Sequence, residues 1–264
     1  MIRMAGNAFT LEGVGFSYGS TRVFKGLDLV VREGAVTTLL GANGSGKTTL
    51  FNVMTKRLKP QEGRVFLRAG NVADVRPADF AKLVSVVHQH NMAPADAEVR
   101  TLVGYGRSPY RKLGVRRSLP DREQDARMIE WALATCDLKD VEHRVISSLS
   151  GGQRQRVWMA MALVQGANVL LLDEPTTFLD VRYQLEILKL VRMLNEEHGM
   201  TVVMVLHDMN QAIEYSDEIV ALAQGRIVAQ GAPHDVVTPG FLSQVYGVDL
   251  DVVRVRGKPY VLAV

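Results

Sequence analysis

The residues best suited to chemistry are residues 41–48, GANGSGKT, near the start of the chain. They match the pattern G-x-x-x-x-G-K-S/T, in which glycines let successive backbone N–H groups point inward at a phosphate group. In such a loop the lysine, here Lys47, reaches the β- and γ-phosphates, and the Thr48 hydroxyl can ligate Mg²⁺. A glycine-rich turn that binds nothing is the alternative, and this motif alone leaves it open.

Two carboxylates come directly after an apolar run further along the chain. Residues 169–172 are four consecutive apolar residues, which predicts a parallel strand buried on both faces. Asp173 and Glu174 follow it, and the carboxyl ends of such strands are where open α/β sheets bind ligands. Asp173 could hold Mg²⁺ directly or through water, and Glu174 could take a proton from an attacking water. A surface turn is the weaker alternative.

Two more apolar runs end at a polar side chain. Residues 83–87 lead to Gln89, whose amide could ligate Mg²⁺ or hold a water, and residues 201–206 lead to His207. His88 and His90 flank Gln89; two positions apart on a strand they would share one face and could bind a metal, although no third ligand accompanies them. We expect the phosphate loop, the Mg²⁺ ligands, a base and a hydrogen-bonding histidine to converge on one sheet edge.

A second glycine-rich stretch, residues 149–153 with the sequence LSGGQ, precedes a helix that is predicted over residues 154–165. Ser-Gly-Gly at a helix N-terminus predicts a second anion-binding site. One chain would hardly need two such sites for one nucleotide. Two copies arranged head to tail could use both, one from each chain.

The remaining hydrophobic pattern alternates strands with helices. Strands at residues 9–17 and 23–31, predicted to pair in antiparallel fashion, precede a buried strand at 36–40 that leads into the phosphate loop. Further strands are predicted at residues 64–67, 218–222 and 226–229, and a final hairpin at 252–255 and 260–264. Helices are predicted at residues 48–56, 77–82, 96–105, 121–136 and 233–237.

Composition narrows the class of protein. The 264 residues are 47% hydrophobic, enough for one large or two small cores. The 31 basic and 28 acidic residues leave a net charge of +3, which argues against a protein built mainly to bind nucleic acid, although a local patch could still do so. The single cysteine, Cys136, is expected to be buried on a helix. With no recognisable signal peptide or membrane span, we expect a soluble chain or one held at a membrane by a partner.

Two surface features are each open to two interpretations. Tyr18 is an aromatic residue in a predicted turn, where it could cap a hairpin or stack on an adenine ring. A basic run, residues 107–112 followed by Arg116 and Arg117, could be a solvated loop or a docking surface for a partner or for anionic headgroups. Neither pattern alone decides between its two interpretations.

Taken together, these residues resemble the ATP-binding subunit of ABC transporters over nearly the whole chain. Residues 41–48 match the Walker A motif, residues 149–153 the signature motif, and residues 169–174 the Walker B motif with its catalytic glutamate. Residues 178–180 look like the D-loop. Gln89 matches the Q-loop glutamine, His207 the switch histidine, and Tyr18 the aromatic residue that stacks on adenine.

The resemblance implies an α/β fold with a P-loop RecA-like core, an antiparallel β-subdomain and an inserted α-helical subdomain. The core and β-subdomain would comprise residues 1–88 and 158–246, the helical subdomain residues 89–157, and a C-terminal hairpin tail residues 247–264.

The resemblance also implies hydrolysis of Mg·ATP. Catalysis would fall to Glu174, His207, Gln89 and Lys47, and Mg²⁺ would be held by Thr48, Gln89 and Asp173. The residues implied to contact the nucleotide are Tyr18, Gly41, Asn43, Gly44, Ser45, Gly46, Lys47, Thr48, Thr49, Ser150, Gly151, Gly152, Gln153 and Asp180.

The partners implied by the resemblance are a second copy of the chain and a membrane permease. The homodimer would hold two nucleotides, each between one chain's Walker A motif and the other's residues 150–152; ATP would close it and hydrolysis would open it. It would lie on the cytoplasmic face of the cell membrane against a permease dimer, served indirectly by an extracytoplasmic substrate-binding protein, with no nucleic acid involved.

Three segments carry a finer resemblance. Residues 103–110, 176–180 and 206–212 are similar to those of ATPases that serve importers of ferric siderophores, haem or cobalamin. Ferric siderophore import is the first choice among these. A soluble ABC ATPase that acts as an assembly or scaffold factor, without transport, is the alternative.

Overall fold

The computed structural model describes residues 6–111 and 118–262 of the chain. The chain divides into two compact units, which we call the terminal unit (residues 1–75 and 192–264) and the central unit (residues 76–191). The strands are β1 (Asn7–Tyr18), β2 (Thr21–Arg32), β3 (Val36–Leu40), β4 (Glu62–Leu67), β5 (Gly70–Asn71), β6 (Val84–Val87), β7 (Val169–Asp173), β8 (Thr201–Val205), β9 (Glu218–Ala223), β10 (Arg226–Gly231), β11 (Asp251–Val255) and β12 (Lys258–Leu262). The α-helices are α1 (Lys47–Met54), α2 (Pro77–Phe80), α3 (Val99–Gly104), α4 (Leu119–Thr135), α5 (Gly151–Leu163), α6 (Val181–His198), α7 (Met209–Tyr215), α8 (Pro233–Val236) and α9 (Pro239–Tyr246).

One sheet of the terminal unit is antiparallel, with its strands in the order β2-β1-β4-β5. Strands β1 and β2 precede the phosphate loop in the chain, and β4 and β5 follow it. The pairing of β1 with β2 runs from Asn7 opposite Arg32 to Tyr18 opposite Thr21, which confirms the antiparallel pair predicted from the sequence. In β2 the buried residues Leu27, Leu29 and Val31 alternate with exposed ones. This alternation is typical of a sheet that packs one face on the core.

The phosphate loop follows β3, an inner strand of the order β10-β9-β3-β8 in the terminal unit. β3 lies between β8 and β9 and runs parallel to both, and all five of its residues are buried. Leu39 of β3 lies opposite Val205 of β8. Gly41 and His207 therefore follow neighbouring parallel strands at the same end, so the predicted convergence holds within this unit.

The central unit contains a second pair of parallel strands, β6 and β7. Val87 lies opposite Leu172, so that Gln89 and Asp173 are also found at the same end of neighbouring strands. β6 ends at Val87, and Gln89 with its two flanking histidines therefore lies beyond the strand. The prediction that the two histidines share one face of a strand is therefore wrong.

Helix α5 begins earlier than predicted, at Gly151 rather than at residue 154. Ser150 is its N-cap and Gln153 completes a capping box, in which each side chain bonds the backbone of the other residue. The two glycines are therefore the first helical residues, because the capping box offsets their low helix propensity.

Helix α3 begins later than predicted, at Val99 rather than at residue 96. Glu98 forms an isolated antiparallel bridge with Val145, and the Ile146 N–H donates to the Ala97 carbonyl over 2.9 Å. This strand-like pairing holds the backbone extended just before the helix. Helix α4 matches its prediction closely, with Ala132, Leu133 and Cys136 buried along one stripe.

No prediction covers α6, the longest of the helices described above. Its first turn is capped by Asp180, whose Oδ1 accepts a hydrogen bond from the Tyr183 N–H at 3.1 Å. Buried Ile187, Leu188, Val191 and Leu194 form its apolar stripe. The boundary between the central and terminal units falls within this helix, after residue 191.

The predicted C-terminal hairpin is confirmed by the antiparallel pairing of β11 with β12. Its second strand begins two residues before the predicted start, and residues 263 and 264 lie outside the described residues. Asn210 of α7 fastens the hairpin, since its side-chain amide donates to the Val261 carbonyl at 3.1 Å and accepts from the Val261 N–H at 2.9 Å. Within the described part of the chain, none of the helices has the length and apolarity required to cross a membrane.

Candidate active site

The phosphate loop has the backbone that its glycines predict. The φ angles of Gly41, Gly44 and Gly46 are 152°, 77° and 108°, in a region that side-chain-bearing residues seldom adopt. Gly46 is the N-cap of α1, and no side chain caps this helix end. The helix dipole favours an anion at this end of α1, where no side-chain cap competes with it.

Lys47 is folded into the loop, with only 6% of its surface exposed. Its Nζ donates to the carbonyl oxygens of Gly41 at 2.6 Å and Ala42 at 3.0 Å. The Ser45 hydroxyl is buried in the same loop without a hydrogen-bond partner among the described residues. Thr48 is exposed and Thr49 is buried. A cationic amine and an exposed hydroxyl thus flank the first turn of α1, as a phosphate-binding loop requires.

Two other residues of the terminal unit are exposed as their expected roles require. Tyr18 is 51% exposed at the end of β1, and its ring meets Phe16 edge-on with 4.9 Å between ring centroids. Its ring is thus held by Phe16 and still has surface available for stacking. His207 is exposed directly before Asp208, which caps α7 by accepting from the Gln211 N–H at 2.9 Å.

In the central unit, Glu174 is held by two side chains. The Gln89 amide Nε2 donates to its Oε2 at 2.6 Å, and the Thr177 hydroxyl donates to the same oxygen at 3.0 Å. Glu174 itself has φ of 51°, a left-handed conformation that is uncommon outside glycine. Such a conformation often accompanies a functional residue, because the surrounding structure must impose it.

Thr177 is a site residue that the sequence analysis missed. It stands three residues after Glu174 in the chain, and its N–H also donates to the Glu174 carbonyl at 3.2 Å. A Glu-Pro-Thr-Thr stretch after a buried strand was the available signal, since threonine hydroxyls commonly bond nearby backbone and side-chain groups in turns.

The signature residues form the N-terminus of α5. The Ser150 Oγ accepts from the Gln153 N–H at 3.2 Å, and the Gln153 side-chain oxygen accepts from the Ser150 N–H at 3.0 Å. Ser150 and Gly151 are exposed, whereas Gly152 is buried. The capping box occupies the two N–H groups at Ser150 and Gln153, and those of Gly151 and Gly152 remain for an anion.

The D-loop residues have structural contacts of their own. Asp180 is exposed and caps α6. Phe178 is 86% exposed, and its ring lies nearly parallel to that of His90, with 6.4 Å between the centroids. The segment after β6 and the segment after β7 are therefore joined twice, through Gln89 with Glu174 and through His90 with Phe178.

The structure corrects both interpretations of the basic run at Arg107, its first residue. Arg107 is neither solvated nor available for docking, because it is only 2% exposed. Its guanidinium pairs with Asp125 at 2.7 Å, donates to the Val164 carbonyl at 3.0 Å and lies over the Tyr110 ring. Tyr110 donates its hydroxyl to the Gln165 carbonyl at 3.0 Å. Arg111 is exposed, and Lys112, Arg116 and Arg117 lie outside the described residues.

A groove of the central unit lies beside Gln89. It has a volume of about 260 Å³, and residues of the segment after β6 and of α5 line it. Met92, 95% exposed, and Tyr105, 47% exposed, offer large apolar surfaces at its rim. Met92 and Tyr105 therefore present far more exposed surface than Arg107.

Comparison with known proteins gives a consistent result. Residues 24–177 match the model of the ABC transporter family. The chain is 39% identical, over 95% of its length and 91% of the relative's, to the petrobactin import ATP-binding protein FpuC of Bacillus anthracis. It is 40% identical, over 94% of its length and 90% of the relative's, to the iron(3+)-hydroxamate import ATP-binding protein FhuC of Bacillus subtilis.

A solved structure agrees with these sequence matches. The dimeric, post-hydrolysis structure of the ATP-binding cassette MJ0796 bound to ADP and Pi superposes with a TM-score of 0.70 and 27% identity. The match covers 85% of this chain and 98% of that one.

Proposed function

This chain belongs to the ABC transporter family as an ATP-binding subunit, and from that premise we propose that it hydrolyses Mg·ATP to drive import of a ferric siderophore through a membrane permease. Two relatives that match this chain over 90% or more of their own lengths are named as import proteins. These names favour transport over a soluble assembly or scaffold factor. The same names favour a siderophore over haem or cobalamin as the chelate.

The observation that carries the enzymatic part of the proposal is the hydrogen-bonded position of Glu174 at the carboxyl end of β7. In the proposed reaction, water attacks the γ-phosphorus, its proton passes to Glu174, and the bond to the ADP oxygen breaks. Lys47 offsets the charge that develops on the phosphate oxygens, and His207 contacts the γ-phosphate. The buried Ser45 hydroxyl without a partner and the uncapped α1 N-terminus fit a loop that binds a phosphate chain.

The residues proposed for Mg²⁺ supply the ligands that this ion prefers, namely oxygen atoms of Thr48, Gln89 and Asp173. Gln89 donates its Nε2 to Glu174, so its amide oxygen remains as the group that can face a cation. When bound, the ion would neutralise charge on the β- and γ-phosphates. The remaining nucleotide contacts proposed are Tyr18 on the adenine, and residues 150–153 with Asp180 from the second chain of a homodimer.

The proposed partners follow from the same premise. A permease dimer would contact the groove beside Gln89, whose exposed Met92 and Tyr105 suit an apolar segment of a partner. The chain would then be peripheral on the cytoplasmic face of the membrane, and an extracytoplasmic substrate-binding protein would deliver the chelate. The division into a core, residues 1–88 and 158–246, and a helical subdomain, residues 89–157, stays part of this proposal.

Uptake in cells tests the proposal. The only copy would be either wild type or Glu174→Gln, and uptake of labelled ferric siderophore, haem and cobalamin would be measured. We expect siderophore uptake alone to be lost in the variant, because the amide cannot accept a proton. Glu197→Gln, at an exposed position of α6, is the matched control. Loss of haem or cobalamin uptake instead would show that haem or cobalamin, and not a siderophore, is the substrate. No change in the uptake of any of the three would contradict import of these chelates.

A further inference from the structure

Strand β1 ends at Tyr18, the residue proposed to stack on adenine, and it extends beyond its pairing with β4. The ladder between β1 and β4 ends with Gly15 opposite Glu62. Ser17 and Tyr18 lie past this pair, although they still lie opposite residues of β2 on the other side. What holds the β4 side of this strand end therefore helps to set the position of the aromatic residue.

Gln61, the residue before β4, takes the place of a strand at this point. Its side-chain Oε1 accepts from the Ser17 N–H at 2.9 Å, and its Nε2 donates to the Ser17 carbonyl at 3.0 Å. Its own backbone N–H donates to the Gly15 carbonyl at 2.9 Å. The amide thus exchanges both hydrogen bonds with Ser17, as the backbone of a neighbouring antiparallel strand would. Because the Ser17 carbonyl belongs to the planar peptide unit that joins Ser17 to Tyr18, these bonds fix the backbone that enters Tyr18.

Two further contacts support the same strand end from other directions. The Arg22 Nη2 donates to the Glu62 Oε2 at 2.7 Å, from β2 to β4 across β1. Phe16 is buried, and its ring meets the Tyr18 ring edge-on with 4.9 Å between the centroids. Neither of these two contacts bonds the peptide unit that precedes Tyr18, whereas the side chain of Gln61 does.

We propose that Gln61 is a positioning residue for the adenine base, which acts by fixing the backbone from which the Tyr18 ring extends. Stacking depends on the plane that the ring presents, and a rotation of the peptide unit before Tyr18 would turn that plane. Gln61 thereby adds to the affinity for the base without touching the nucleotide and without adding to the affinity for the phosphate chain. This role rests on adenine stacking by Tyr18, which is part of the proposed function.

Gln61→Leu tests this role, since it removes the donor and the acceptor and retains a side chain of similar size. Dissociation constants would be measured with Mg²⁺ for a non-hydrolysable ATP analogue and for inorganic tripolyphosphate, which has the phosphate chain but no base. We expect Gln61→Leu to raise the Kd of the analogue about two- to tenfold, as loss of a hydrogen bond does, and to change the Kd of tripolyphosphate by less than about twofold.

Gln230→Leu is the matched control for this substitution. Gln230 is also an exposed glutamine of the terminal unit, and its side-chain amide donates to the Val30 carbonyl of β2 at 2.6 Å. Its removal should leave the Kd of both ligands at the wild-type value.

A double-mutant cycle identifies the residue through which Gln61 acts. Gln61→Leu would be combined with Tyr18→Ala, and we expect no further rise in the Kd of the ATP analogue in that background, because the two residues act as one unit. An equal rise with and without the Tyr18 ring would overturn the inference. An equal rise in the Kd of the analogue and of tripolyphosphate would also overturn it, because it would assign Gln61 a general structural role.

Failure of the proposed function gives a different result. If Tyr18→Ala leaves the Kd of the ATP analogue unchanged, adenine stacking by Tyr18 is wrong, and the role of Gln61 is wrong with it. If Tyr18→Ala weakens binding of the analogue and Gln61→Leu does not, only the role of Gln61 is overturned. Wild type that binds neither ligand would contradict nucleotide binding itself.

Discussion

Gln89 donates its side-chain amide to the Glu174 carboxylate over 2.6 Å, although 85 residues separate the two in the chain. The bond fixes which end of the amide faces the acid, so the amide oxygen is directed elsewhere. A single glutamine is thereby able to orient the carboxylate that we propose as catalytic and to offer an oxygen to a cation. A substitution that removes the donor and keeps an oxygen tests the first of these two functions.

Gln89→Glu keeps an oxygen ligand but removes the donor to Glu174 and adds a like charge beside it. A hydrogen bond to a charged group contributes about 1.5–3 kcal/mol. We therefore expect kcat for ATP hydrolysis to fall about tenfold to a hundredfold, with ATP affinity nearly unchanged. Phosphate release and equilibrium binding would measure the two effects.

Gln230→Glu is the control for this substitution, because Gln230 is an exposed glutamine that donates to the Val30 carbonyl in the terminal unit. It should leave kcat at the wild-type value. Equal activity of Gln89→Glu and wild type would show that the bond to Glu174 has no part in hydrolysis.

Ser150→Ala should affect both stability and activity. Loss of an N-cap costs about 1 kcal/mol, and α5 would lose the hydroxyl that accepts from the Gln153 N–H. If residues 150–152 also bind the nucleotide of a second chain, hydrolysis falls further than this loss of stability explains. Urea unfolding and ATPase activity of the same samples would compare the two.

The control for the cap is Ser118→Ala, which removes the corresponding hydroxyl at the N-terminus of α4. We expect a similar loss of stability, of about 1 kcal/mol, and unchanged hydrolysis. If the two alanine variants lose the same activity, the signature serine has only a structural role.

Arg107→Met should destabilise the chain strongly. The arginine is nearly fully buried, and its removal takes the cation away from Asp125, whose side chain is 13% exposed. Breaking a buried pair by removing one partner costs about 3–5 kcal/mol. Urea unfolding would measure this loss, and Arg111→Met, at the exposed end of the same segment, should change stability by less than about 0.5 kcal/mol. A small loss for Arg107→Met would restore the view of this segment as a surface loop.

Cys136 should make stability depend on pH in the alkaline range. Burial raises the pKa of its thiol from 9.0 to about 12, so between these values the unfolded chain releases a proton that the folded chain keeps. The associated stability is complete below pH 9.0 and is lost as the pH rises toward 12. At pH 10.5 the loss is about 2 kcal/mol.

Cys136→Ala isolates this contribution from other groups that titrate in the same range. The free energy of unfolding in urea would be measured at pH 8 and pH 10.5, and we expect wild type to lose about 2 kcal/mol more than the variant. Parallel pH dependence of the two proteins would show that the thiol is accessible to water. A thiol reagent should also fail to modify native wild type at pH 8.

The strands that lead into the site were predictable, because β3, β7 and β8 are short runs of aliphatic and β-branched residues, and the residues that follow them carry the predicted chemistry. The start of α5 was missed, although Ser150 and Gln153 have the spacing of a capping box, because the two glycines lower helix propensity. Asp180, an aspartate of the type that often caps helices, indicated the N-terminus of α6, yet the helix was not predicted.

The burial of Arg107 could not be predicted from the local sequence pattern. Its burial depends on Asp125 and on carbonyl groups of α5 and the residue after it, which only the folded chain brings to the guanidinium. Tertiary partners at long sequence separation decide this burial, and hydrophobic periodicity carries no information about them.

The left-handed backbone of Glu174 places activity and stability in opposition at one position. A residue with a side chain adopts this conformation at a cost of about 1–2 kcal/mol, which glycine avoids. Substitution by glycine would relieve that cost and remove the acid at the same time. Selection for a robust fold alone would therefore erase this glutamate, and the role in turnover that we propose for it would account for its retention.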